Sequence, residues 1–298
     1  MLIRIFLAVF LSCASAWAAD LQKIVDDAVA ETLREFASKK LQSNQVTVTV
    51  IKLPDDALPI TASFRGEAPI YPASVVKLFY LVAAHQWMEE GKIKDAAELR
   101  RAMRDMIVES YNEATHYVLD VLTDTTGGPE LPAEEMKTWE YKRNAVNRWF
   151  ASKGYKGINV NQKPWCEGPY GRERIFVGKN YENRNALTTE ATATLLANIA
   201  RGIVVSKKRC DEMMELLKRD PFTKGNEQAT DFVGSAVPPG SKLWSKAGWT
   251  STARHDAAYI ELPSGQKLVL VIFTTGHSSE KEIITSLAKR IFAGLSAS

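Results

Sequence analysis

Hydrophobic spacing divides the chain into recognisable elements. Leu21, Ile24, Val25, Val29, Leu33 and Phe36 recur three or four apart with acids opposite, so 21–40 is expected to be an amphipathic helix. Residues 45–52 (QVTVTVIK) alternate strictly and are β-branched, the pattern of a half-buried strand. A second strand at 60–64 follows the turn-like Pro54-Asp55-Asp56. Helical spacing returns over 74–90 and stops at Gly91; 97–108 and 112–122 predict two more helices, ended by Gly127-Gly128-Pro129, and 144–152 a shorter one. Residues 154–185 are rich in Gly, Asn, Pro and Arg and lack periodicity, and a loop of that length is functional or disordered. Helices are predicted over 187–201, entered through Asn185 with Glu190 in its first turn, and over 206–218. Strands follow at 242–246, 255–262 and 267–275, the last two joined by the hairpin signal Pro263-Ser264-Gly265, before a closing amphipathic helix at 279–295.

This order predicts an α/β (α+β) fold: an antiparallel sheet flanked by terminal helices, with an inserted all-helical lobe. The α/β lobe is expected to comprise 21–66 plus 205–298, and the helical lobe 67–204, with their crevice as the natural site.

The N-terminus changes the expected address. Arg4 supplies a positive start, 5–11 is an unbroken apolar run, and Ala16-Trp17-Ala18 is an A-x-A cleavage pattern. A signal of 1–18 is expected, leaving 19–298 as one catalytic domain, periplasmic or secreted. The apolar run is too short to span ~30 Å of hydrocarbon, so no stable membrane insertion is expected. Cys13 offers a rival lipoprotein reading, against which stands Phe10, where such signals carry Leu. Of the remaining cysteines, Cys166 and Cys210 are open to pairing or to isolation, since spacing alone does not fix their separation.

Composition removes other classes. With 45% hydrophobic and 24% charged residues, the 298-residue chain is globular rather than disordered. Net charge is +3 (38 basic minus 35 acidic) without a basic block, so nucleic acid is not an expected partner. His85, His116, His255 and His277 fall in no metal-binding spacing, so neither a metal nor another cofactor is expected.

Three short motifs carry candidate chemistry. Ser74-Val75-Val76-Lys77 sets a hydroxyl and an amine at i and i+3, on one helical face. Serine needs an adjacent base to act as a nucleophile, and a desolvated lysine can be that base. Ser110-Tyr111-Asn112 falls between two helices; alone, Ser110 with Glu113 reads as a capping box. Lys246-Ala247-Gly248-Trp249-Thr250 follows a strand, and reads as an anion-binding edge or as a strand end and turn. Each motif alone is explained by its structural role; all three in this order are not.

In that order the motifs resemble the S-x-x-K, S-D-N and K-T-G set of the penicillin-recognising serine hydrolases, class A β-lactamases above all. The stretches MIVESYNEAT, RNALTTEATATLL and WSKAGWT followed by ARHDAAYI are similar as well, and the resemblance spans roughly 21–295. It implies Ser74 as the acylated nucleophile, Lys77 as its proton partner and Ser110 as a proton relay, with Lys246 holding that network and the substrate carboxylate. Asn112 is implied to bind the substrate's side-chain amide, the Ser74 and Trp249 N–H groups to form an oxyanion hole, and Gly248, Thr250 and Arg254 to contact substrate. The implied partner is a small β-lactam or D-Ala-D-Ala-like molecule, and the chain is expected to be a monomer.

Departures from the family pattern bear on turnover. Tyr111 replaces Asp, Ala247 removes a hydroxyl for which Thr250 or Thr252 are the available substitutes, and the gap from Ser74 to Ser110 is short. Class A enzymes deacylate with a loop glutamate in an E-x-x-x-N pattern; here Glu167, Glu173 and Glu182 all lack Asn four residues on. Glu140 has Asn144 at that spacing but lies too early in the order. Pro164-Trp165-Cys166-Glu167 is most similar to the family's loop, which makes Glu167 the expected base. Without a positioned base the resemblance implies a slow acyl-enzyme instead: a D-alanyl-D-alanine peptidase, an esterase-like hydrolase or a penicillin-binding sensor.

Overall fold

In the computed structural model of the protein, residues 2–165, 168–223 and 225–297 are described, with side chains from residue 17 onward. The chain forms two units, 1–66 with 219–298, and 67–218.

The first unit is built on β-branched and aliphatic strands. β1 (Val46–Lys52) pairs antiparallel with β2 (Ile60–Phe64) on one side and with β6 (Lys267–Thr275) on the other. β5 (Ala253–Glu261) lies between β6 and β4 (Lys242–Trp249), and the two-residue β3 (Lys218–Arg219) completes a six-stranded antiparallel sheet in the order β2-β1-β6-β5-β4-β3. Val48 and Val50 face the terminal helices α1 (Leu2–Glu35) and α11 (Glu282–Ala297), where Val25, Val29, Ile284, Leu287 and Ile291 join one apolar core. The short α10 (Glu227–Thr230) and the 3-10 turn Val233–Ala236 add Ala229, Phe232 and Val233 to that core.

The alternation in β1 suggested one wet face, yet Thr47, Thr49 and Ile51 are buried too. Their register partners explain it: Thr47 lies opposite Phe273, Thr49 opposite Val271 and Ile51 opposite Val269, so the second face of the sheet is itself apolar.

The second unit is helical. α2 (Lys77–Glu89) is buried nearly all round, and Phe79 packs on Phe150 with ring centres 4.9 Å apart. Against it lie α4 (Asn112–Thr123), α6 (Ala145–Ser152) and α9 (Lys207–Leu217), with α3 (Ala97–Arg104) packed on α4 and α8 (Thr189–Ala200) on α9. Two helices fall outside the periodicity reading. α5 (Ala133–Arg143) buries only Met136, Trp139 and Arg143, too thin an apolar stripe to register among its charges. α7 (Gly171–Val177) sits inside the long loop. The helix expected over 97–108 ends at Arg104 and widens into a π turn, Asp105–Glu109.

Cys210 is buried on α9 and has no disulfide partner among the described residues, and Cys166 lies outside them. Among the described residues no helix is long and apolar enough to cross a membrane.

Candidate active site

In the helical unit the nucleophile candidate sits on a strained turn. Ala73 takes φ +47°, a left-handed conformation costly for a residue with a Cβ, and opens the 3-10 turn Ala73–Val76. Ser74 is half-buried on that turn, and its carbonyl accepts the Lys77 N–H that starts α2.

Lys77 is fully buried. Its Nζ donates to the Ser110 carbonyl at 2.6 Å and to Asn112 Oδ1 at 2.9 Å, and stands 3.3 Å from Ser110 Oγ. The first and second motifs therefore meet in space. The π turn makes this possible: the Ser110 N–H closes onto Asp105 O and Ser110 itself turns left-handed at φ +61°. α4 then begins at Asn112 without a side-chain cap, so Ser110 is not the capping-box residue that its spacing from Glu113 allowed. Tyr111, in the family's Asp position, projects outward and is 56% exposed.

In the sheet unit the third motif lies within a strand, not after one. β4 runs through Lys246, Ala247 and Gly248 to Trp249, because each residue pairs with β5, Lys246 opposite Ala257 and Trp249 opposite Arg254. Lys246 is fully buried and donates to Gln228 Oε1 and to the Ala247 carbonyl, both at 2.8 Å. Ala247 faces the apolar core. Thr250 Oγ1 accepts from the Thr252 and Ala253 N–H groups at 3.2 and 3.1 Å, which ties the β4–β5 turn.

Arg254 is only 5% exposed rather than a solvated strand charge. It donates to the Asp231 carbonyl at 3.0 Å and lies 4.1 Å from the Phe232 ring centre, a cation–π contact. Its Nε has no partner among the described residues, and burial holds its guanidinium below the usual range. Trp249, 43% exposed, packs on the same Phe232 at 5.6 Å. Beneath this hairpin Asp256 is completely buried; its Oδ2 accepts the Val233 N–H at 3.1 Å, and burial pushes its carboxyl up to about 7.

The long loop is less open than its composition suggested. Glu173 is buried and bidentate with Arg143, at 2.9 and 2.8 Å, with Lys163 3.4 Å away. Asp120 of α4 completes the cluster, 2.7 Å from Lys163 and 3.1 Å from Arg143. Both Glu173 oxygens are thus committed to cations. Glu182 accepts from Asn180 through both oxygens. Glu167, the expected base, lies outside the described residues.

Sequence reasoning missed Gln228 and Phe232, which hold Lys246 and Arg254, and also Tyr80, His116, Asp120, Lys163 and Arg143. For His116 and Asp120 a signal existed: they follow Asn112 by four and eight residues, on one face of α4.

An antiparallel sheet with terminal helices and an inserted helical unit bearing S-x-x-K and S-x-N is a class A β-lactamase-like fold. The chain belongs to the beta-lactamase enzyme family, whose model matches residues 28–295. Among solved structures, a β-lactamase from Sphaerobacter thermophilus DSM 20745 is similar at 19% identity and TM-score 0.65, over 93% of this chain and 98% of that one. A representative of class A β-lactamase from Bacteroides cellulosilyticus DSM 14838 is similar at 16% identity and TM-score 0.65, over 93% and 99%. A substituted PBP-A in an acyl-enzyme complex with penicillin G is similar at 17% identity and TM-score 0.63, over 92% and 97%. No curated protein matches the chain.

Proposed function

We propose that this chain is an exported, monomeric serine hydrolase that opens the β-lactam amide through an acyl-enzyme on Ser74. The observation that carries this reading is the buried Lys77 amine gathered by Ser110 and Asn112, one helical turn after Ser74. Ser74 Oγ attacks the lactam carbonyl and its proton passes to Lys77; the C–N bond breaks, and the leaving nitrogen takes a proton through Ser110. Asn112 binds the substrate's side-chain amide. Lys246, Gly248, Thr250 and Arg254 recognise its carboxylate, and the Ser74 and Trp249 N–H groups stabilise the oxyanion, a contribution of ~3–4 kcal/mol per donor in such sites. Glu167 activates the water that releases the acyl group. The similarity to an acyl-enzyme complex with penicillin G supports this substrate class.

A second reading, a D-alanyl-D-alanine peptidase or a penicillin-binding sensor, is favoured by one observation: Glu173 and Glu182 are both engaged and offer no spare carboxylate for water. Hydrolysis of a chromogenic cephalosporin decides between them. Steady turnover that Ser74→Ala abolishes supports the β-lactamase reading; a lasting adduct without turnover supports the second. Export is checked by sequencing the N-terminus of the mature protein, which is expected to begin at Ala19.

A further inference from the structure

Ala247 leaves the third motif without a hydroxyl, and the residue directly across the ladder from it is a carboxylic acid, Asp256 of β5. Facing residues of an antiparallel pair share one side of the sheet, as do residues two apart on a strand, so Ala247, Trp249, Arg254 and Asp256 lie together on one side. Asp256 is completely buried; its Oδ2 accepts the Val233 N–H at 3.1 Å, and its Oδ1 makes no hydrogen bond among the described residues. Its β6 partner, Ile272, is apolar. The charged groups facing it are Lys246 on β4, Arg219 on β3 and Arg254 two residues earlier on β5. The acids Asp231, Glu227 and Glu282 act on Arg254. Lys246 donates to two neutral acceptors, Gln228 Oε1 and the Ala247 carbonyl, which do not cancel its charge. Burial outweighs the Val233 N–H, Lys246, the Ala257 N–H and Arg219, all of which favour the ionised carboxyl, and so lifts it to about 7. A buried acid poised in this way gains or loses a whole charge around neutral pH, beside the strand that faces the anion.

We infer that Asp256 is a positioning residue for substrate recognition: its charge state sets how strongly Lys246 and Arg254 hold the substrate carboxylate, so recognition of acidic substrates weakens as Asp256 ionises. This rests on the proposed function, which gives the substrate carboxylate to Lys246 and Arg254. Asp256 acts through their field from beneath the hairpin. While it is neutral, both cations act undiminished; once ionised, it offsets part of their charge in a buried place where solvent screens little.

The test compares acylation by penicillin G with acylation by its uncharged methyl ester, followed by intact mass after rapid mixing from about pH 5 to about pH 9. The ratio of the two rates reports what the carboxylate contributes, and it cancels the titration of Ser74, Lys77 and Ser110, which act on both compounds. In the wild-type chain the ratio is expected to fall by about fivefold to tenfold as pH rises, the worth of one nearby buried charge, with half the change near 7. Asp256→Asn keeps the shape without the charge, and is expected to hold the ratio at its acid-end value throughout. Asp256→Ser, measured beside it, is expected to do the same, so the outcome does not hang on how one variant folds. The variants also separate Asp256 from its neighbour His255. A flat wild-type ratio overturns the inference, whatever the variants do. So does a fall that persists in Asp256→Asn and Asp256→Ser, which would assign the titration to another group. A wild-type chain that forms no adduct with either compound is a different failure: it removes the proposed function, and this inference with it.

Discussion

Lys77 is the residue on which the candidate chemistry turns. A fully buried amine with two oxygen acceptors at 2.6 and 2.9 Å is held in one position, and the 3.3 Å separation from Ser110 Oγ joins two motifs that lie 33 residues apart. Lys77→Ala is expected to lower the rate of acylation by about 10²–10⁴, the usual worth of a positioned proton-transfer group. Stopped-flow acylation checks this, and a loss below tenfold would remove Lys77 from the mechanism. Asp256 gives a pH prediction. Its carboxyl is raised from an ordinary 3.8 to about 7 by burial, so between those values the folded chain binds the proton more tightly than the unfolded chain. Stability from this group is complete at the acid end of the window and is lost as pH rises towards 7. Asp256→Asn removes that loss, so its melting temperature relative to wild type should rise by several degrees between pH 5 and pH 8. A difference that stays flat across that range contradicts the assignment.

At the scale of elements, the loop and the π turn show what periodicity detects and what it does not. The strand at 267–275 was legible to the residue, because a continuous aliphatic run between a hairpin signal and Gly276 has few alternatives. β4 was cut short at Lys246, since Ala-Gly-Trp reads as a turn and nothing local reveals the β5 ladder that extends it. The π turn at Asp105–Glu109 is equally silent: its sequence continues a helix, and the closure onto Asp105 depends on tertiary packing. Within the loop, side-chain contacts add to the order of the short helix α7, and the buried pair of Arg143 with Glu173 of α7 is their centre. Glu173→Ala leaves Arg143 buried beside Asp120 alone, and is expected to cost ~3–5 kcal/mol in denaturant unfolding. A cost below about 1 kcal/mol would mean that the pair does not hold the loop.

At the scale of the whole molecule, the succession of helix and strands, then helices, then strands and helix was readable from hydrophobic spacing, and it matches the observed sheet and inserted helical unit. The motifs were readable because catalytic residues lie at fixed local spacings. Their supports were not, because Gln228, Phe232, Tyr80 and Arg143 act on residues from 18 to 82 positions away, or through ring contacts that no local pattern encodes. Membership of the beta-lactamase enzyme family and the class A-like fold agree with that reading. The central claim is that Ser74 becomes acylated. The most direct test is intact mass of the chain after brief exposure to penicillin G, followed by peptide mapping, with Ser74→Ala alongside. The account predicts a single covalent adduct on the peptide containing Ser74 and none in the variant; an unmodified wild-type chain, or an adduct that survives Ser74→Ala, contradicts it.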